Sequence, residues 1–124
     1  PGFYEPVVHR ARERGVLALP GAVTASEIQA ALGAGLTTVK YFPAETSGGA
    51  KAIKALSAPF GDVRFVPTGG IGPANLAEYL ALPSVHAIGG SWMVPRDRIA
   101  EGAFDEITGL VTEAVRLASG EQTR

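Results

Sequence analysis

The segment from residue 63 to residue 72 reads Val63-Arg64-Phe65-Val66-Pro67-Thr68-Gly69-Gly70-Ile71-Gly72, an apolar run that leads into a glycine-rich turn. Short runs that contain β-branched and aromatic residues are typical of strands. Three other short apolar runs have strand character, at residues 16–19, 36–42 and 85–88. The sequence therefore predicts four strands, of which 63–66 is the third.

Helical signals lie between and outside these runs. Thr24 and Glu27 stand at the spacing of a capping box, the run 51–56 opens after Gly48-Gly49, and Pro73 is placed as a first helical residue. Helices are also predicted over 6–14 and 104–117, with a glycine after each. Because helix and strand alternate strictly, we expect βα units on a parallel sheet and an α/β fold.

Open doubly wound sheets and (β/α)₈ barrels share this alternation, and the position of the glycines favours the barrel. Thr68-Gly69-Gly70-Ile71-Gly72 follows the third predicted strand, and Gly89-Gly90-Ser91 follows the fourth. In barrels with phosphorylated substrates, the loops after strands seven and eight commonly hold the phosphate through backbone N–H groups. We therefore interpret residues 1–124 as a single partial domain, strands five to eight of a TIM barrel. The N-terminal half is expected to be absent, with Pro1 at a cut.

The composition excludes several classes of function. The chain has 124 residues, a formal net charge of −1, no cysteine and two histidines. Such a chain has no overall basic field for nucleic acid or an anionic membrane, and no thiolates for catalysis or metal binding. No apolar run approaches the ~20 residues of a membrane span. We expect a cytoplasmic protein with no metal, no cofactor and no nucleic-acid or membrane partner.

Lys40 is the first candidate for chemistry. The alternation within 36–42 places it on a strand, on the same face as Thr38 and Phe42. Because both faces of a barrel strand are covered, we expect most of the Lys40 side chain to be buried. Desolvation lowers the pKa of a lysine amine, and the neutral amine is the form that attacks a carbonyl. The alternative is an amine that reaches solvent from the strand end.

The two glycine turns are the second candidate. With Thr68 and Ser91 as hydroxyl donors, they predict a site for an oxyanion or a phosphate, and the alternative is two helix-entry turns that need positive φ. Glu45 follows the lysine strand closely enough to carry a proton, although a loop carboxylate that caps the next helix is the simpler interpretation. His86, within a predicted strand, is interpreted as a core or interface residue.

Three separated motifs of this sequence resemble the 2-dehydro-3-deoxy-6-phosphogluconate (KDPG) and 4-hydroxy-2-oxoglutarate (KHG) aldolase family. They are Val39-Lys40-Tyr41-Phe42-Pro43-Ala44-Glu45 followed by Gly48-Gly49, then Arg64-Phe65-Val66-Pro67-Thr68-Gly69-Gly70-Ile71, then Ile88-Gly89-Gly90-Ser91-Trp92. Their order and spacing match the family, and the resemblance runs through nearly the whole chain.

The resemblance implies a (β/α)₈ barrel, a homotrimer when the barrel is complete, and metal-free class I aldol cleavage. The implied reaction converts KDPG to pyruvate and glyceraldehyde 3-phosphate in the Entner–Doudoroff route. Lys40 matches the Schiff-base lysine, and Phe42 the residue packed beside it. The matching substrate-binding positions are Pro1, Thr68, Gly69, Gly70, Gly90 and Ser91, with Pro1 in the loop that faces the pyruvyl part.

One departure from the family is large. The family's general acid/base is a glutamate on an early strand, upstream of the motif that contains Pro1, and Glu45 does not match it. The resemblance therefore implies little or no turnover by the isolated chain. Two other hypotheses remain open: an isomerase or synthase on a phosphate-binding barrel, with Lys40 as an acid or a charge, and a half-barrel module without catalysis.

Overall fold

The computed structural model describes residues 1–120 and has an α/β architecture. Two parallel strands, β1 (Thr38–Tyr41) and β2 (Arg64–Pro67), pair with Lys40 opposite Val66. The helices are α1 (Glu5–Glu13), α2 (Ala25–Gly33), α3 (Gly49–Ser57), α4 (Leu76–Leu80), α5 (Arg96–Ala100) and α6 (Phe104–Ala118), with a 3₁₀ turn at Glu45–Ser47. None of these helices is long and apolar enough to cross a membrane.

Two of the four predicted strands, 16–19 and 85–88, do not form regular strands, and these predictions are wrong. Residues 16–19 do not pair with β1; the contact lies further along, where the Lys40 N–H donates to the Pro20 carbonyl and the Ala22 N–H donates to the Lys40 carbonyl. This pairing ends at once, because the next two amides, those of Val23 and Thr24, both donate to the Glu27 carboxylate. The run 85–88 likewise forms one isolated parallel bridge to β2, from Val85 to Phe65, and a second bridge joins Gly89 to Thr68 just beyond both segments.

The four segments nevertheless lie side by side in chain order: residues 20–22, β1, β2 and residues 85–89. All of them are parallel, so their carboxyl ends lie at one edge. The turns that leave β1, β2 and the last segment are therefore neighbours. This edge is where α/β folds with parallel strands carry their ligands.

The helices follow the sequence closely, with one correction. Thr24 caps α2 in a complete capping box with Glu27, as predicted. Pro73 is not a first helical residue, because the Gly72 amide donates to the Asn75 side chain and α4 begins only at Leu76. The sequence did not predict α5 or the 3₁₀ turn.

The core lies on one face of the sheet. Val39 and Tyr41 of β1 and Phe65 of β2 are fully buried, and the Tyr41 and Phe65 rings meet edge to face at 6.1 Å. Ile28 of α2 and Ile53 of α3 complete this layer. Because side chains alternate along a strand, Lys40 and Val66 point to the opposite face. That face holds the cleft described next.

Candidate active site

A cleft of about 450 Å³ opens on the face of the sheet opposite the core. It brings together the lysine of β1 and both glycine turns, which follow this lysine by about 30 and about 50 residues in the chain. Its lining residues are Leu19, Lys40, Phe42, Val66, Thr68, Gly69, Gly70, Ile71, Gly89, Gly90 and Ser91. Seven of the eight residues predicted for the site therefore line one cavity.

Lys40 lies in the middle of the β1 register and is partly buried. Its Nζ atom is 5.0 Å from the centre of the Phe42 ring, within the range in which an aromatic face attracts a cation. A Cβ atom on Gly69 would lie 3.3 Å from Cδ2 and Cε2 of the same ring. The Phe42 ring thus lies near both the amine and the first glycine turn.

The two glycine turns present backbone donors without protein partners. Within residues 1–120, the N–H groups of Gly69, Gly70, Gly90 and Ser91 donate to no protein acceptor. Gly69 and Gly70 have φ of 101° and 78°, which L side chains rarely adopt. A turn of this kind aims successive amides in one direction and binds anions. The cleft therefore combines an amine with several unused amide donors.

Thr68 adds a hydroxyl between the turns. A Cβ atom on Gly89 would lie 2.4 Å from Thr68 Oγ1, so the glycine leaves the space that this hydroxyl occupies. A Cβ atom on Gly90 would likewise meet the Trp92 ring, at 1.8 Å. These glycines are needed for close packing at the cleft, since neither is among the glycines with positive φ.

Pro1 is the one predicted site residue outside the cleft. It lies with Phe3, Tyr4 and Val7 in an apolar groove between α1 and residues 16–20, and its carbonyl packs against Gly21. Its predicted role with the pyruvyl part stays a prediction.

Glu45 does not line the cleft either. The Tyr79 hydroxyl of α4 donates a short hydrogen bond to Glu45 Oε1. Burial raises the pKa of the Tyr79 hydroxyl, and the Glu45 carboxylate raises it further. Burial also raises the pKa of Tyr41, whose hydroxyl donates to the Ser47 carbonyl. No sequence pattern indicated the Glu45–Tyr79 contact, because the two residues are 34 positions apart.

The family model for KDPG and KHG aldolases matches residues 1–110. The chain belongs to this family. The KHG/KDPG aldolase of Escherichia coli (strain K12) is 50% identical over 115 residues, which are 93% of this chain and 54% of that protein. The 2-dehydro-3-deoxy-phosphogluconate aldolase of Dickeya dadantii (strain 3937) is 48% identical over the same shares. This member of the KDPG and KHG aldolase family thus spans about half the length of the curated relatives it matches.

Solved structures of the family agree with the backbone. The crystal structure of KDPG aldolase from Legionella pneumophila, with pyruvate captured at low pH as a covalent carbinolamine intermediate, matches with a TM-score of 0.85 and 39% identity. The match covers 89% of this chain and 53% of the Legionella pneumophila chain. The aldolase of Zymomonas mobilis ZM4 with 3-phosphoglycerate matches with a TM-score of 0.82 and 36% identity, over 98% of this chain and 55% of that one.

Proposed function

We propose that this chain supplies the Schiff-base lysine and the phosphate-binding turns of a metal-free class I aldolase. The proposed substrate is KDPG, which is cleaved to pyruvate and glyceraldehyde 3-phosphate. The observation that carries the proposal is the cleft itself: Lys40 shares it with four backbone amides that have no acceptor within residues 1–120. An amine and an anion site in one cavity suit a substrate with a ketone and a phosphate.

The proposed chemistry needs only these groups and a proton carrier. Lys40 Nζ attacks the keto carbon C2, and loss of water gives a protonated imine. The C3–C4 bond then breaks, its electron pair forms the C2–C3 double bond of an enamine, and the C4 hydroxyl loses its proton to become the aldehyde. Protonation of the enamine at C3 and hydrolysis of the imine release pyruvate and restore the amine.

Glu45 is not the proton acceptor in this scheme. Its carboxylate accepts the Tyr79 hydroxyl and lies outside the cleft. The glutamate that the family resemblance implies for this step is upstream of the motif containing Pro1. We therefore assign binding and covalent attachment to this chain, and no proton transfer to Glu45.

The chain order of the four parallel segments supports a second part of the proposal. In a doubly wound sheet the strand order reverses, whereas in a barrel neighbouring strands follow one another. Residues 20–22, β1, β2 and 85–89 follow one another without reversal. We propose that they are strands five to eight of a (β/α)₈ barrel. The homotrimer and the cytoplasmic location remain predictions from the family resemblance.

Borohydride trapping with pyruvate tests the function on the purified protein that contains this chain. We expect reduction to fix pyruvate on Lys40, as located by peptide mapping. Lys40→Met is expected to abolish trapping and to lower the cleavage rate by about a thousandfold or more, because no other group replaces the nucleophile. Lys51→Met, on the exposed face of α3, is the matched control and is expected to trap normally.

Other outcomes discriminate the remaining hypotheses. A label on another residue, or no label, contradicts the Schiff-base assignment. Cleavage that is insensitive to pyruvate and borohydride then favours a different enzyme on a phosphate-binding barrel. Phosphate binding without any turnover or label favours a non-catalytic module.

A further inference from the structure

Glu45 and Tyr79 form a polar contact behind the first glycine turn, outside the cleft. Tyr79, in α4, is fully buried, and its hydroxyl donates to Glu45 Oε1. Glu45 begins the 3₁₀ turn that follows the lysine strand. The contact therefore joins the element after β2 to the segment that leaves β1.

The Glu45 side chain lies directly against the turn that lines the cleft. A Cβ atom on Gly70 would be 2.6 Å from Glu45 Cγ, so the side chain passes over the bare backbone of this glycine. The Glu45 N–H donates to the Gly69 carbonyl at 3.2 Å, and the Ala44 N–H donates to the Thr68 carbonyl at 2.8 Å. Glu45 is thus in contact with the Gly69-Gly70 turn through both its backbone and its side chain.

The space around the carboxylate is also restricted on its far side. A Cβ atom on Gly49 would lie 3.3 Å from the Tyr79 hydroxyl and 3.5 Å from Glu45 Oε1. The Glu45 side chain therefore lies between Gly70, which it meets at Cβ and Cγ, and Gly49, which it meets at Oε1, and this oxygen accepts the phenol hydroxyl. A free carboxylate at this turn would repel an anion, so the direction of the Glu45 side chain matters for electrostatics as well as for packing.

We propose that Tyr79 and Glu45 are a positioning pair that fixes the Gly69-Gly70 turn, and with it the affinity for the phosphate end of the substrate. This inference rests on the proposed function. Amide donors stabilise an anion only at hydrogen-bond distance, and small displacements of positioned groups cost affinity steeply. Neither residue of the pair lines the cleft with Lys40, so we expect attachment of the pyruvyl part not to depend on it.

Tyr79→Phe tests the pair, because it removes the hydroxyl and keeps the buried ring. In the protein that contains this chain, we expect the KM for KDPG to rise roughly tenfold. The kcat and the pyruvate concentration that gives half-maximal borohydride trapping should stay within about twofold of the wild type, because pyruvate carries no phosphate. A merely structural role would not separate these two measurements.

Tyr41→Phe is the matched control. Tyr41 is equally buried, and its hydroxyl donates to the Ser47 carbonyl of the same 3₁₀ turn and not to the Glu45 carboxylate. The variant loses one buried hydroxyl without freeing the carboxylate, so its KM should change less than about twofold. Glu45→Gln should also remain near the wild type, because its amide oxygen still accepts the phenol, whereas Glu45→Ala should match Tyr79→Phe.

Equal KM values in Tyr79→Phe and Tyr41→Phe would overturn the proposal, as would a parallel loss of pyruvate trapping. If Tyr79→Phe does not fold, Glu45→Ala decides the question. If the wild type traps no pyruvate, the proposed function fails separately. The affinity of the wild type and Tyr79→Phe for inorganic phosphate, measured by calorimetry, then still tests the pair, and equal affinities contradict it.

Discussion

The Lys40 cleft and the groove between α1 and residues 16–20 have similar volumes, about 450 and 550 Å³, and opposite linings. The cleft contains an amine, two hydroxyls and unused backbone amides. Among the described residues that line the groove, Tyr4 carries the only polar side-chain group, and Leu17 is 92% exposed. The comparison teaches that volume does not identify a site in this chain. Directed donors do, because only they discriminate one ligand from another.

The two cavities also share a wall. Leu19 lines both of them, and the residues that follow it pair with β1 beside Lys40. A change confined to one cavity should therefore leave the other intact, whereas a change in the wall should affect both. The three variants that follow test this difference, in order of expected effect.

Gly70→Ala is expected to have the largest effect and to act on the cleft alone. The new Cβ would lie 2.6 Å from Glu45 Cγ, and the backbone has a φ of 78°. We expect the free energy of unfolding to fall by about 1–3 kcal/mol, as measured by urea denaturation. Gly72→Ala is the control in the same loop. A Cβ at that position meets nothing within 4 Å, and unchanged stability is expected.

Equal unfolding midpoints for these two alanine variants would contradict the view that the first glycine turn is held by close packing. Such a result would mean that the amides of this turn are not held in place by the packing of Glu45.

Glu27→Gln acts at Val23 and Thr24, directly after the shared wall, and is expected to have an intermediate effect. A hydrogen bond from the Val23 N–H is the main cause of the lowered pKa of Glu27, and hydrogen bonds from Thr24 lower it further. A lowered pKa in the folded state stabilises the fold above the ordinary carboxyl pKa, and this stability is lost as the pH falls through the folded value. We expect Glu27→Gln to lower the free energy of unfolding by about 1 kcal/mol at neutral pH and to leave it unchanged in acid.

Urea denaturation of the wild type and Glu27→Gln at neutral and at acidic pH measures this difference in the free energy of unfolding. Glu78→Gln, which changes an exposed carboxylate of α4, is the control and should leave the free energy of unfolding within about 0.5 kcal/mol of the wild type. A Glu27→Gln deficit that is equally large in acid would rule out the carboxylate as its source.

Leu17→Gln is expected to have the smallest effect. Because Leu17 is almost entirely exposed in the groove, the free energy of unfolding should change by less than about 0.5 kcal/mol, and pyruvate trapping should not change. A larger loss of stability in the protein that contains this chain would show that the groove is covered there. The comparison with the cleft would then be between a site and an interface.

Local signals in the sequence predicted local structure well. Thr24 and Glu27 lie three residues apart and interact with each other, so the start of α2 could be read directly. The same holds for β1 and β2, whose alternating residues are buried on one face. Pro73 misled because a proline fits several turns, and here the Asn75 side chain accepts from the Gly72 N–H in a turn that precedes α4.

Non-local pairing explains what the sequence did not predict. Residues 16–19 are as apolar as a strand, but a strand requires a partner, and β1 bonds to residues 20–22 instead. The lysine and the glycine turns were recognised singly, and their arrangement in one cleft followed from the parallel order of the segments. The Glu45–Tyr79 contact gave no signal, because neither residue belongs to a periodic pattern that points to the other.

The backbone of Lys40 has one further consequence. Both its N–H and its carbonyl are hydrogen-bonded to residues 20–22, on the side of β1 away from β2. The amine can therefore change position only by rotation about its own side-chain bonds, whereas the shape of the glycine turns depends on the side chains packed against them. A redesign for a substrate with another terminal group can start from those turns, and deuterium uptake at the Lys40 amide will report whether the lysine's support has survived it.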